Sequence, residues 1–154
     1  MRQFNFGQRI FKTLATLGPI GYSPVAPGTF GSLFALLFYY FLKPSLSAQV
    51  FLLILVTVVG TIAAHLSEKM LNEKDSGHIV IDEFAGYAVS IFMLPGVLSY
   101  FIAAFFLFRF FDILKPPPIR WMERTLPGGP GIVADDLMAG IYANLVMQIW
   151  MHLT

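Results

Sequence analysis

The sequence predicts an all-α protein: a small helical bundle embedded in a membrane, with short or broken helices and Gly/Pro-rich loops gathering a site at its cytoplasmic edge. Three observations predict it. Hydrophobic residues make up 56% of the 154-residue chain and charged residues 12%, about half of the roughly 25% found in ordinary soluble domains. Four stretches, residues 13–42, 44–67, 84–108 and 137–154, contain no Asp, Glu, Lys or Arg. Proline and glycine break some of those stretches and leave others intact. The length fits one domain, 1–154, and one core that small cannot bury so much apolar surface. Intrinsic disorder is excluded. A net charge of +1 offers no basic field for nucleic acid. The absence of cysteine excludes disulfides, thiolate metal sites and thiol catalysis.

The first charge-free stretch opens with Gly18-Pro19-Ile20-Gly21-Tyr22-Ser23-Pro24-Val25-Ala26-Pro27-Gly28-Thr29. Its prolines and glycines forbid a regular helix, so it reads as a structured loop. A helix then begins near Thr29 or Ser32 and runs to about Leu42, short for a full crossing. Lys43-Pro44-Ser45 makes a tight turn, and Ser47 to Ser67 forms a spanning helix. The third stretch is cut by Pro95-Gly96 into halves of about 17 Å each at 1.5 Å per residue. Either one kinked helix crosses, or two half-helices enter and leave on one side. The fourth stretch, from Leu137, crosses and ends with Trp150 as an interfacial anchor. Arg2, Arg9 and Lys12 favour a cytoplasmic N-terminus under the positive-inside tendency. The basic segment Arg109 to Arg124 then lies on the cytoplasmic side only if the third stretch is a hairpin, which is the expectation adopted. The first twelve residues lack the apolar region of a secretory signal.

All nine carboxylates fall between Glu68 and Asp136. Asp82-Glu83 and Asp135-Asp136 are adjacent pairs, and Asp112 stands between them. All three sites border apolar stretches, a position that avoids the cost of charge at the bilayer centre. Converging carboxylates repel and need a compensating cation. With no thiolate and three histidines, a hard divalent cation on oxygen ligands is the natural partner. Arg109, Lys115, Arg120 and Arg124 are suited to bind phosphate. These are the parts of a metal-assisted phosphoryl-transfer site. Plainer readings stand beside this one. Each acidic pair is also a helix N-terminal charge, with Asp135-Asp136 preceding a helix at Leu137. Arg109 and Asp112 also suit a simple i, i+3 ion pair. His65 and His78 read as structural.

Four blocks then form a recognisable set. Gly21-Tyr22-Ser23-Pro24-Val25-Ala26-Pro27-Gly28-Thr29-Phe30-Gly31-Ser32-Leu33 resembles the first signature of the phosphatidylglycerophosphatase A family. Ile81-Asp82-Glu83-Phe84-Ala85-Gly86-Tyr87 resembles the second, and Phe108 to Arg120 the third. Gly128-Gly129-Pro130-Gly131-Ile132-Val133-Ala134-Asp135-Asp136-Leu137-Met138-Ala139-Gly140 resembles the fourth. They occur in the family's order between about residues 18 and 143. The match around Asp75-Ser76-Gly77-His78 is looser.

The resemblance implies a bacterial inner-membrane, Mg²⁺-dependent lipid phosphatase with its site facing the cytoplasm. Its substrate is phosphatidylglycerophosphate and its products are phosphatidylglycerol and inorganic phosphate. Carried over by position, Asp82, Glu83, Asp112, Asp135 and Asp136 become the catalytic acids, with Asp82, Glu83, Asp135 and Asp136 holding Mg²⁺. Arg109, Lys115, Thr29 and Ser32 become phosphate-binding candidates, joined by Arg120 from the basic segment. Gly28, Gly31, Gly128, Gly129 and Gly131 are expected to let backbone N–H groups approach phosphate. Direct water attack and an aspartyl-phosphate both stay open. Two competing classes are a transporter or channel, which predicts charge near the bilayer midplane, and a non-catalytic scaffold that binds lipid headgroups.

Overall fold

The computed structural model describes residues 5–71 and 76–153. Arg2 and Asp75 fall outside them, as do the side chains of Glu123 and Arg124. The described residues form helices and no strands: α1 (Phe6–Ala15), a 3₁₀ turn (Ile20–Tyr22), α2 (Pro27–Leu42), α3 (Leu46–Leu71), α4 (Ile81–Ser90), α5 (Leu98–Leu114), α6 (Ile119–Thr125) and α7 (Gly129–Leu153).

Local chemistry explains the ends. Asn5 opens α1 with a reciprocal cap: its side chain accepts from Gln8 N at 2.8 Å while Gln8 Oε1 accepts from Asn5 N at 3.0 Å. Helix α2 starts at Pro27, two residues before the expected Thr29. A proline at the first helical position sacrifices no intrahelical bond and brings a helical φ. Lys43 closes α2 in the left-handed conformation, φ 43°, and Pro44 prevents continuation. Helix α7 starts at Gly129, eight residues ahead of the expected Leu137. Pro130 sits in its first turn, where proline is harmless, so Gly-Pro-Gly is helix rather than loop.

Helix α3 spans Leu46–Leu71 and α7 spans Gly129–Leu153; both are long and apolar enough to cross a membrane. Phe51, Ile54, Val58 and Ile62 form an exposed apolar stripe on α3. That pattern is inverted relative to a water-facing helix.

The third apolar stretch is a hairpin. Helices α4 and α5 run antiparallel, and Arg109 near the end of α5 lies 3.9 Å from Glu83 at the start of α4. The chain therefore enters and leaves at one end. Tyr87 Oη donates to the Phe101 carbonyl at 2.9 Å, tying the two arms. At the turn, α7 supplies donors. Asn144 Nδ2 reaches the carbonyls of Ser90 and Phe92 at 3.1 and 2.8 Å, and Gln148 Nε2 reaches Phe92 at 3.3 Å. Carbonyls at a helix end have no intrahelical partner and need such donors where water is excluded.

Helix α4 lies at the centre, packed most extensively on α7 and flanked by α2, α3 and α5. Gly86 and Gly140 permit this. A Cβ on Gly140 would collide with the Gly86 carbonyl, and one on Gly86 would strike the Asp136 carbonyl and the Phe108 ring. Ala85, Ala88, Ala139 and Ala143 complete the seam of small buried residues.

Candidate active site

Four helix segments meet at one end of the bundle: the start of α2, the start of α4, the end of α5 and the second turn of α7. Each brings polar residues. Asp82 and Glu83 occupy the first turn of α4, where the helix dipole favours negative charge. Capping does not exhaust their role, because Val80 is the cap residue and Asp82 is buried. Asp135 and Asp136 are the seventh and eighth residues of α7. They are too far inside the helix to act as its N-terminal charges.

Asp82, Glu83 and Asp136 converge. One carboxylate oxygen from each lies within 4.8 Å of the others. Asp82 Oδ1, Glu83 Oε2 and Asp136 Oδ2 are buried without hydrogen-bond partners among the described residues. A buried, unpaired carboxylate is costly. Burial first, and the neighbouring Glu83 charge second, push the Asp82 carboxyl well above the usual carboxylate range. Three desolvated hard oxygens facing one point form a donor set suited to a divalent cation, and they constitute a possible acidic metal-binding cluster.

The remaining acids have cationic partners. Arg109 Nη1 lies 2.6 Å from Asp112 Oδ2 and 3.9 Å from Glu83 Oε1, so one guanidinium bridges Asp112 to the triad. Its Nε is buried without a hydrogen-bond partner among the described residues, leaving donor capacity for an anion. Lys115 Nζ donates to Asp135 Oδ2 at 2.7 Å. Asp135 Oδ1 in turn accepts from the Asp136 backbone N–H at 3.1 Å. Asp135, expected beside the metal, is thus placed with Lys115, one residue from the triad.

The phosphate-binding candidates separate. Arg109 and Lys115 sit among the acids. Thr29 is half-buried on α2, next to Gly28, which borders Glu83 and Arg109. Ser32 is fully buried, and its Oγ donates to the Gly28 carbonyl at 2.9 Å. Arg120 is exposed and donates to the Leu114 carbonyl at 3.2 Å, closing the end of α5. His78 is structural as expected: its Nδ1 lies 2.8 Å from the Gly21 carbonyl and its ring stacks on Tyr22.

The glycines have close protein neighbours. A Cβ on Gly28 would overlap Glu83 Oε1. The bare α-carbon is what lets that carboxylate lie against α2. Gly31 faces Val80, Gly129 faces Thr61 and His65 on α3, and Gly131 faces Leu126. These positions admit protein neighbours closely. Sequence reading did not anticipate these contacts, because it does not reveal which helix crosses which.

The sequence profile of the phosphatidylglycerophosphatase A family matches residues 13–151. The chain belongs to this family. It is 40% identical over 135 residues to phosphatidylglycerophosphatase A of Escherichia coli strain K12, covering 86% of this chain and 78% of that one. It is 39% identical over 132 residues to the Haemophilus influenzae protein of the same name, covering 82% and 81%. A Bacteroides thetaiotaomicron relative, 38% identical over 138 residues, covers 84% of this chain and 86% of its own, and bears the provisional name phosphatidylinositol-3-phosphatase. No solved structure matches the chain. All four family-like blocks lie within the matched span, and the acids of three of them meet at the bundle end.

Proposed function

We propose that the chain is a Mg²⁺-dependent phosphatase of the bacterial inner membrane. It hydrolyses the terminal phosphomonoester of phosphatidylglycerophosphate to phosphatidylglycerol and inorganic phosphate, at a site facing the cytoplasm. The observation that carries the reading is the convergence of Asp82, Glu83 and Asp136 beside Arg109, each with one buried carboxylate oxygen lacking a hydrogen-bond partner among the described residues, in a chain of the phosphatidylglycerophosphatase A family. The described charged side chains gather toward the ends of the bundle, which disfavours an ion pathway through the midplane.

Asp82, Glu83 and Asp136 are the residues that hold the cation. The chemistry it supplies there is Lewis acidity toward a phosphoryl oxygen and toward water. Arg109 binds the equatorial phosphoryl oxygens and offsets their charge as it spreads. Asp112 orients that guanidinium through their ion pair. Lys115, placed by Asp135, adds a second positive charge. Water oxygen bonds to phosphorus as the ester P–O bond breaks in line. A carboxylate of the group, Asp112 or one of the acidic pairs, takes the water proton, and the glycerol oxygen leaves with a proton. The acyl chains remain in lipid throughout, so only the headgroup needs to reach the acids.

The test is phosphate release by the purified protein from defined lipids. Phosphatidylglycerophosphate is expected to be turned over, with phosphatidylinositol 3-phosphate and phosphatidic acid as parallel substrates. A chelator should stop release and Mg²⁺ should restore it. Asp82→Asn and Asp136→Asn should each abolish turnover while retaining the helical fold. Release from none of these lipids, with or without Mg²⁺, would overturn the proposal.

A further inference from the structure

Helix α1 has three faces. Ala15 is buried and Phe11 packs beside it, against the cluster that includes Ala63 and Ala64 of α3. Phe6, Ile10 and Leu14, spaced four apart, form a stripe that none of the other described residues covers; they are 81%, 44% and 39% exposed. Arg9 and Lys12 project between those two faces, at 100° per residue, and the helix carries no acid. A cleft of about 400 Å³ opens beside them, lined by Arg9, Lys12, Thr13 and Tyr22, with Lys12 Nζ 5.5 Å from the centre of the Tyr22 ring. Helix α1 also lies at the acidic end of the bundle, where the Val80 N–H, two residues before Asp82, donates to the Ala15 carbonyl at 2.9 Å.

We infer that α1 is an interfacial helix seated on an anionic phospholipid surface, its stripe immersed at the acyl boundary and its cations against phosphodiester headgroups. Two arguments select this occupant. An apolar stripe flanked by cations complements an anionic leaflet, whereas two copies of α1 would bring like charges together. The stripe is also borne by a helix that packs on α3, which carries an exposed apolar stripe of its own. The contact holds the start of α4 at headgroup depth. The inference rests on the proposed membrane setting of α3 and α7.

The chain has no cysteine, so single-cysteine variants of the full-length protein take one environment-sensitive fluorophore each. Ile10→Cys reports the stripe, Gln8→Cys the opposite flank and Ile54→Cys the outer face of α3. Each is measured in nanodiscs of zwitterionic lipid alone and of zwitterionic lipid mixed with phosphatidylserine. At Ile54 a blue shift is expected in both. At Ile10 a blue shift is expected that grows with phosphatidylserine, and at Gln8 none. Adding Arg9→Gln and Lys12→Gln to Ile10→Cys should remove the phosphatidylserine-dependent increment. An aqueous spectrum at Ile10 with a blue shift at Ile54 would overturn the inference alone. Aqueous spectra at both would overturn it together with the membrane setting. A shift at Ile10 indifferent to phosphatidylserine, or one that follows the number of protein copies per disc, would also overturn it.

Discussion

Arg109 is the residue on which the geometry of the acids turns. Its guanidinium contacts Asp112 and approaches Glu83, and its buried Nε has no hydrogen-bond partner among the described residues. Removing a preorganised donor of this kind from a charge-developing site costs about 10²–10³ in rate. Arg109→Gln is therefore expected to lower kcat by that order, read from initial phosphate release, with a smaller effect on KM. Gly28 is the second position with a sharp expectation. Gly28→Ala must displace Glu83, because the new methyl would occupy the place of Oε1. The variant should fold normally yet lose both turnover and the thermal stabilisation expected of the parent protein if the proposed Mg²⁺ site is filled. For a ligand at a hundred times its Kd that stabilisation is about 2.7 kcal/mol, which melting curves with and without Mg²⁺ resolve. At this scale residue chemistry was readable from sequence, and so was the i, i+3 pairing of Arg109 with Asp112 within α5. Asp82, Glu83, Asp136 and Arg109 stand out as charges bordering apolar stretches. The partition of Asp135 to Lys115 depends on how the end of α5 and α7 are rotated, and residue type does not encode that. Ser32 is fully buried and its hydroxyl is bonded within its own helix, a partner that its place in a signature block did not reveal.

The hairpin of α4 and α5 is the element with the most exacting requirements. Its turn leaves carbonyls that Asn144 and Gln148 satisfy from α7. A buried carbonyl stripped of its donor costs about 1–3 kcal/mol. Asn144→Leu orphans bonds to two carbonyls and is expected to lower Tm in detergent clearly more than Gln148→Leu, which removes one weaker bond. Pro95-Gly96 signalled the break, and the basic segment after it favoured a hairpin over a crossing. The donors were not legible, since nothing in the sequence marks Asn144 and Gln148, two polar residues of an apolar helix, as facing that turn. The start of α7 was misplaced for a related reason. Gly-Pro-Gly resembles a loop by composition, but proline is benign in a first turn, and Gly129 and Gly131 are needed where the helix meets Thr61 and Leu126. The seam between α4 and α7 carries a further expectation. Gly140→Val should push α7 away from Gly86 and separate Asp136 from Asp82, so turnover should fall even where circular dichroism is unchanged.

Across the whole molecule, the acids contributed by distant parts of the chain meet at one end because α4 and α5 return to it and α2 and α7 begin there. The fold class followed from composition and the charge-free stretches. The assembly of one site from four helix ends became visible only in three dimensions. In the proposed setting, cysteines placed at Pro44 and Pro117 should react with impermeant reagents from opposite sides of a sealed vesicle. Labelling of both from the same side would reverse the orientation of the α4–α5 hairpin. The modest length of α2 has its own consequence. Sixteen residues measure about 24 Å at 1.5 Å per residue, against a hydrocarbon slab of about 30 Å. Lipids beside such a helix thin to match it, and that local dimple lowers headgroups toward Gly28 and the sunken carboxylates behind it. Hydrolysis is therefore expected to run fastest in vesicles of short-chain lipids and to slow steadily as the acyl tails are lengthened.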